Sequence, residues 1–225
     1  MTDVDRKKRV LIVDDHPVVR RGLRELLEDQ EDFRVAGEAA SEAEALDLAG
    51  SEPLDLALVD VSLQNGNGVE LVKQLQNHHK KLPVLVISMH DERLYAERAL
   101  AAGARGYVMK QAGDEEILRA VRRVLGGRFY LSGGTRERLF PLEAGELSEE
   151  GGEPPVERLS DRELEVFLLV GQGYAPRHLA EELNLSVKTV ETHRRHIRQK
   201  LDLESASELV RYAIAWSKEK ATESA

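Results

Sequence analysis

Five short apolar runs alternating with amphipathic stretches constrain the fold of this chain more than any other feature. The runs are residues 10–13, 33–36, 54–59, 83–88 and 106–109. Several are continuously apolar, which is typical of parallel strands covered by helices on both faces. The alternation between residues 9 and 126 therefore predicts an α/β domain with a flavodoxin-like, doubly wound sheet of five parallel strands.

Two of the intervening segments carry specific helix signals. Residues 18–27 place Val19, Leu23 and Leu27 on one stripe, as in a helix that packs on a sheet. Ser41 and Glu44 have the spacing of a capping box, in which each side chain bonds the other residue's backbone N–H. A helix is expected to begin there.

The alternation ends after Ser132, and a second domain is expected further along. The chain has 225 residues, whereas one domain typically has roughly 100–200. Residues 133–157 are rich in Gly and Pro, and residues 143–157 hold six glutamates without Lys or Arg. This composition predicts a linker over 133–157 that joins a domain of residues 1–132 to one of residues 158–225.

The second domain is predicted to be a small all-α domain of four helices. Ser160 and Glu163 form a Ser-x-x-Glu capping box before an apolar stripe, and Ser205 and Glu208 form another. Further helices are expected at residues 176–183 and 187–201, joined by a tight turn at 184–186. This spacing indicates a helix-turn-helix.

The third of these helices carries a local positive charge, although the whole chain has a net charge of −9. Val190, Ile197 and Leu201 share one stripe with Val187, and Lys188, Thr192, Arg195 and Gln199 lie opposite.

A polar face of this kind can read base edges in the major groove, with Arg195 bonding guanine. Lys188, Thr189 and Lys200 are expected to contact phosphates. The alternative is an ordinary solvated helix face.

A cluster of acidic residues is expected at the carboxyl edge of the sheet. Asp14 and Asp15 follow the first strand and Asp60 follows the third, which lies beside the first in the strand order 2-1-3-4-5. Three converging carboxylates favour a hard divalent cation, Mg²⁺. Ser88 and Lys110 end the fourth and fifth strands and can contact phosphoryl oxygens. The predicted chemistry is phosphorylation of a carboxylate.

Residues 8–130 resemble the receiver domain of two-component response regulators. The resemblance rests on four motifs: Val10-Leu-Ile-Val-Asp-Asp15, Asp60-Val-Ser-Leu, Ser88-Met-His90 and Tyr107-Val-Met-Lys110. It implies that Asp60 is the phosphoacceptor, that Asp14, Asp15, Asp60 and the Ser62 backbone carbonyl surround Mg²⁺, and that Ser88 and Lys110 contact the phosphoryl group. Tyr107 would be the aromatic switch residue that turns inward.

One position departs from the receiver pattern. Gln64 stands where many receivers have proline, which predicts a more flexible loop over residues 64–68. Gly66 and Gly68 still allow the positive φ angles that such a turn needs.

Residues 158–216 resemble the DNA-binding domain of LuxR-type and NarL-type regulators. The segments Leu159-Ser-Asp-Arg-Glu-Leu-Glu-Val166 and Leu185-Ser-Val-Lys-Thr-Val-Glu-Thr-His193 carry the match. The resemblance implies base reading by Glu191, Thr192 and Arg195, and dimer contacts by the last helix, residues 205–216.

Together the two resemblances predict a response regulator of the NarL/FixJ type, a transcription factor and not an enzyme. A sensor histidine kinase would phosphorylate it, and it would bind double-stranded promoter DNA as a homodimer when phosphorylated. The enzymatic alternative, a haloacid-dehalogenase-like phosphatase, needs a second Asp where Ser62 stands. A regulator that acts through protein contacts alone, without phosphorylation, is the other alternative.

The remaining composition bears on the compartment. The chain has no cysteine, so thiolate metal sites and cysteine nucleophiles are excluded. Its longest nearly continuous apolar run, residues 82–89, is well short of the roughly 18 residues that a membrane helix needs. No export signal is recognised at the start of the chain. A cytoplasmic protein without a membrane partner is therefore expected.

Overall fold

The computed structural model describes residues 6–63, 66–132, 135 and 155–222. The chain divides into two compact units, Met1–Ala144 and Gly145–Ala225. Among the described residues, no helix is both long enough and apolar enough to cross a membrane.

The N-terminal unit is built on a sheet of five parallel strands. These are β1 (Lys8–Val13), β2 (Phe33–Ala39), β3 (Leu56–Val59), β4 (Val84–Ser88) and β5 (Gly106–Met109). Their order is β2-β1-β3-β4-β5, which confirms the predicted flavodoxin-like topology. β2 extends three residues beyond its predicted end, because its pairing with β1 continues to Ala39 after a register shift.

Helices cover both faces of this sheet. They are α1 (Pro17–Glu28), α2 (Glu42–Ser51), α3 (Gly68–His78), α4 (Glu92–Ala101) and α5 (Asp114–Leu125). Leu23 and Leu27 of α1 pack with Val121 of α5 in a buried cluster with strand residues. Burying each side chain of this size stabilises the fold by about 1.5–3 kcal/mol.

The cap of α2 differs from the predicted box. The Ser41 hydroxyl accepts from the Glu44 N–H at 3.4 Å, as expected. The Glu44 carboxylate, however, accepts from the N–H of Ala40 and not from that of Ser41. The box is therefore only half formed, because Glu44 reaches back one residue further.

Close packing at Gly68 shapes the described end of the loop after β3. Ser62–Leu63 pairs with Gly66–Asn67 in an antiparallel two-residue ladder, and Gln64 lies outside the described residues. Among the described glycines, positive φ occurs only at Gly103, Gly127 and Gly173, so neither Gly66 nor Gly68 uses the backbone freedom that glycine allows. A Cβ at Gly68 would lie 1.8 Å from the Asp60 carbonyl oxygen. Gly68 is needed because the start of α3 packs against the Asp60 backbone.

The chain that leaves α5 returns to the edge of β5. Tyr130 N–H donates to the Arg105 carbonyl and the Tyr130 carbonyl accepts from Tyr107 N–H, both at 3.0 Å. The backbone N–H of Ser132 then donates to Glu92 Oε1 at 2.8 Å. The outer edge of β5 is thereby partly covered by the chain itself.

The C-terminal unit is helical. A 3-10 helix at Pro155–Arg158 precedes α6 (Asp161–Gly171), α7 (Pro176–Glu182), α8 (Val187–Lys200) and α9 (Ala206–Thr222). The predicted capping box of Ser160 and Glu163 is fully formed at the start of α6. α7 and α8 are joined by the predicted tight turn, where Asn184 has φ of 49°.

The segment predicted as a linker, residues 133–157, is described only at residues 135 and 155–157. Residues 133, 134 and 136–154 lie outside the described residues. Val156, which was assigned to the linker, is only 3% exposed and belongs to the 3-10 helix. The C-terminal unit therefore has a buried apolar residue before residue 158.

Candidate functional site

The acidic cluster forms at the carboxyl ends of β1 and β3. Asp14 is fully buried and Asp60 is 2% exposed, although both are acidic. One potential ligand atom from each of Asp14, Asp15, His16 and Asp60 lies within 4.8 Å of the others. The structure thus brings the three predicted carboxylates together.

His16 is a member of this cluster that the sequence reasoning missed. Its backbone N–H donates to Asp14 Oδ1 at 2.8 Å, and its Nδ1 lies 2.6 Å from Asp15 Oδ1. It is the N-cap residue of α1. Its place directly after the two aspartates was the available signal, because strand-end residues share one edge of the sheet.

Lys110 supplies the positive charge of the cluster. Its Nζ lies 2.5 Å from Asp14 Oδ2 and 2.6 Å from Asp60 Oδ2. The Lys110 side chain is itself only 7% exposed. Its backbone N–H donates to the Ser88 carbonyl, so the pairing of β5 with β4 directs it to the site. The Lys110 ammonium therefore bridges two of the three carboxylates, those of Asp14 and Asp60.

Burial controls the protonation of the central carboxyl group. Desolvation raises the pKa of Asp60 to about 6; Lys110 opposes this rise and Asp14 adds to it. Desolvation would lower the pKa of Lys110, but Asp60 and Asp14 outweigh it and raise that pKa above its ordinary value. Lys110 therefore stays charged at neutral pH.

The cluster fits a hard divalent cation. Within the described residues, Asp60 Oδ1 is buried and has no hydrogen-bond partner. A buried carboxylate oxygen without a donor is costly unless a cation satisfies it. Carboxylate oxygens at this spacing suit Mg²⁺ better than softer metals.

A second group of contacts connects the ends of β4 and β5. Ser88 is fully buried, and its hydroxyl accepts from His90 N–H at 3.2 Å. Tyr107 is also fully buried and therefore already lies inward.

The His90 ring forms a hydrogen bond with Ser62 Oγ through Nε2 at 2.8 Å and lies 4.8 Å from the Tyr95 ring. Burial lowers the pKa of His90 to about 4, with Lys110 adding to the effect. His90 lies in the Ser88-Met-His90 motif, and its sequence position alone predicted no role for it.

The helix α8 has one buried and one exposed face. Val190 and Ile197 are fully buried, whereas Lys188, Glu191 and Arg195 are exposed. Val187 was placed on the buried stripe, but it is 44% exposed, so the buried stripe begins one turn later at Val190. The predicted polar face is therefore accessible over most of its length.

Several predicted contact residues of α8 make contacts inside the domain. Thr192 Oγ1 donates to the Lys188 carbonyl at 3.0 Å, and Thr189 N–H donates to Ser186 Oγ at the helix start. Lys200 Nζ lies 2.6 Å from Glu163 Oε2 of α6. Glu191 Oε1 lies 2.8 Å from Arg194 Nη1 one turn further along the same helix.

Two family models match this chain. Residues 10–122 match the response regulator receiver domain, and residues 157–213 match the LuxR family of bacterial regulatory proteins. The first covers the sheet with the acidic cluster and the second covers the helix-turn-helix.

Relatives match over nearly the whole chain. Oxygen regulatory protein NreC of Staphylococcus haemolyticus is 36% identical, over 92% of this chain and 96% of its own length. Response regulator UvrY of Escherichia coli is 31% identical, over 91% and 93%. RcsB of Salmonella enterica serovar Typhimurium, solved bound to promoter P1flhDC with the phosphomimetic BeF3⁻, has a TM-score of 0.60 and 26% identity, over 92% and 98%. The chain therefore belongs to the two-component response regulators of the NarL/FixJ type, transcription factors in which a receiver domain is joined to a LuxR-type DNA-binding domain.

Proposed function

We propose that Asp60 is the phosphoacceptor through which a sensor histidine kinase controls the DNA-binding domain. The carrying observation is the position of Lys110, whose ammonium lies within 2.6 Å of both Asp14 and Asp60 at the sheet edge. Asp60 is the member of the acidic cluster that this ammonium and the neighbouring strand-end carboxylates surround. The same position follows from the resemblance to receivers.

The reaction proposed is phosphoryl transfer to a carboxylate. An Asp60 carboxylate oxygen attacks the phosphorus of a kinase phosphohistidine whose other ring nitrogen carries a proton. A P–O bond forms as the P–N bond breaks, and the histidine leaves as a neutral imidazole that keeps this proton. Asp14, Asp15, Asp60 and the Ser62 carbonyl would hold Mg²⁺, which neutralises charge on the transferred group when bound. Lys110 would contact a phosphoryl oxygen, because its ammonium already faces Asp60.

The phosphoryl group is proposed to act through Ser88 and Tyr107. The Ser88 hydroxyl now accepts a hydrogen bond from His90 N–H. To donate to a phosphoryl oxygen, it would move away from that N–H. The backbone carbonyl of His90 also accepts a hydrogen bond from the Tyr107 hydroxyl. A shift of Ser88 would therefore also affect the hydrogen bond between Tyr107 and His90.

The output proposed is promoter recognition by α8. Glu191, Thr192 and Arg195 would read bases, while Lys188 and Thr189 would contact phosphates. Phosphorylation would favour a homodimer through α9, since one helix-turn-helix reads too short a site for useful specificity. Promoter DNA as the target implies a cytoplasmic location.

Acetyl phosphate provides the direct test of the acceptor. Wild-type protein should gain one phosphoryl group in the presence of Mg²⁺ and little in a chelator, as read by intact mass. Asp60→Asn should gain none, and Asp15→Asn should gain it slowly. Wild-type incorporation on Asp60→Asn would refute the assignment, and full incorporation in chelator would remove Mg²⁺ from the mechanism.

A further inference from the structure

We infer that Lys200 is a positioning residue of the DNA-binding domain, holding the end of α8 against the start of α6, and not a phosphate contact. This revises its expected role and rests on the proposed reading of DNA by α8. Lys200 forms an ion pair with Glu163 of α6.

The partner of Lys200 is a buried carboxylate. Lys200 is the last residue of α8, and its Nζ lies 2.6 Å from Glu163 Oε2. The Glu163 side chain is 6% exposed, whereas that of Lys200 is 41% exposed. A buried carboxylate that loses its cation is left uncompensated, which is strongly destabilising. The Lys200 ammonium is therefore required beside the Glu163 carboxylate.

The same carboxylate also begins α6. Glu163 Oε2 accepts from Ser160 N–H at 2.7 Å, and Ser160 Oγ accepts from Glu163 N–H at 3.4 Å. One carboxylate oxygen thus joins the start of α6 to the end of α8, 37 residues further along the chain. Burial alone would raise the pKa of Glu163, but the bonds from Lys200 and Ser160 outweigh it and lower that pKa. Glu163 is therefore ionised at neutral pH.

The other groups near Glu163 do not replace Lys200. His196 of α8 has its Nδ1 3.9 Å from Glu163 Oε1, beyond hydrogen-bond distance. Burial lowers the pKa of the neighbouring His193, and Arg162 adds to this effect. Lys200 accordingly makes the close cationic contact to Glu163 in the described residues.

Lys188 at the opposite end of α8 is the natural comparison. It is exposed, and in the described part of the chain no ion pair involves it. To bind phosphate, Lys200 would have to leave a buried carboxylate, whereas Lys188 would leave only water. The two lysines of the same helix are thus expected to behave differently towards DNA.

Salt dependence of binding and thermal stability together separate the two roles. The full-length protein is titrated with a fluorescent double-stranded DNA of random sequence at several salt concentrations. Loss of one phosphate contact lowers the slope of log K against log [salt] by about 0.9. Lys188→Met should show that loss, and Lys200→Met should keep the wild-type slope. Lys200→Met should also lower the melting temperature of the domain, and Lys200→Met combined with Glu163→Gln should restore part of it.

The rescue is expected because a neutral glutamine amide needs no ammonium partner and can still accept from Ser160 N–H. If Lys200→Met lowers the slope as much as Lys188→Met and leaves the melting temperature unchanged, the inference is overturned. If the wild type binds DNA with no salt dependence, the proposed function fails, and the melting rescue still decides the role of Lys200.

Discussion

The Tyr107 hydroxyl donates a 2.8 Å hydrogen bond to the backbone carbonyl of His90, two residues beyond Ser88. Both ring and hydroxyl of Tyr107 are buried, and burial raises the pKa of this phenol far above its ordinary value. Tyr107 is therefore a neutral donor that ties β5 to the segment leading into α4.

Removing this donor should loosen that segment. Tyr107→Phe leaves the His90 carbonyl without its phenol donor, and the free energy of unfolding of the receiver should fall by about 1 kcal/mol. Phosphate incorporation at Asp60 should persist, since Tyr107 is not proposed to contact the phosphoryl group. Urea unfolding and intact mass measure the two effects. Loss of incorporation in a folded Tyr107→Phe would show that the tyrosine belongs to the reacting site.

The affinity for Mg²⁺ should depend on pH around 6. Because the pKa of Asp60 is raised to about 6, this carboxyl keeps its proton below that pH and loses it above. Mg²⁺ must displace the proton, so its affinity should rise as pH rises from 5 to 7 and then level off. Below pH 6 the change should approach about tenfold per pH unit. Titration calorimetry measures it, and Asp60→Asn should lack the step at pH 6. The same step in Asp60→Asn would assign it to another group.

Gly68 should not tolerate even a methyl group. In Gly68→Ala the new Cβ would lie 1.8 Å from the Asp60 carbonyl oxygen, so the backbone of one residue must move. We expect a loss of about 1–3 kcal/mol in stability and slower phosphorylation of Asp60. Gly50→Ala is the matched control, because Gly50 lies in α2 with nothing within 4 Å of its added Cβ. That control should be neutral or stabilising by about 0.5–1 kcal/mol. Equal effects of the two changes would show that the close approach does not matter.

Base reading should concentrate at the centre of the exposed face of α8. Arg195→Ala should cost about 1–3 kcal/mol on the cognate duplex and relax the preference at one base pair. Lys188→Ala should weaken binding to cognate and scrambled duplexes alike, since a phosphate contact carries no sequence information. Competition binding with both duplexes measures the difference. Equal weakening on both duplexes by Arg195→Ala would make it a phosphate contact.

Local patterns in the sequence were enough to predict the sheet and the carboxylates. Strand positions follow from apolar runs, and strand-end residues of parallel neighbours meet at one edge whatever the side chains between them. Asp14, Asp60 and Lys110 were predictable for this reason, as were the capping box at Ser160 and the exposed position of Arg195.

The tertiary structure decided which polar groups became partners across the chain. Lys200 looked like a surface cation by its helical position, and only the packing of α8 on α6 placed it at Glu163. Ser62 and His90 are 28 residues apart and meet because β3 and β4 are neighbours. Gly68 was expected to serve a turn, but it is required by contact with Asp60. Periodicity reports which face of an element is buried, whereas the partner of a buried charge depends on distances between elements that no local pattern contains.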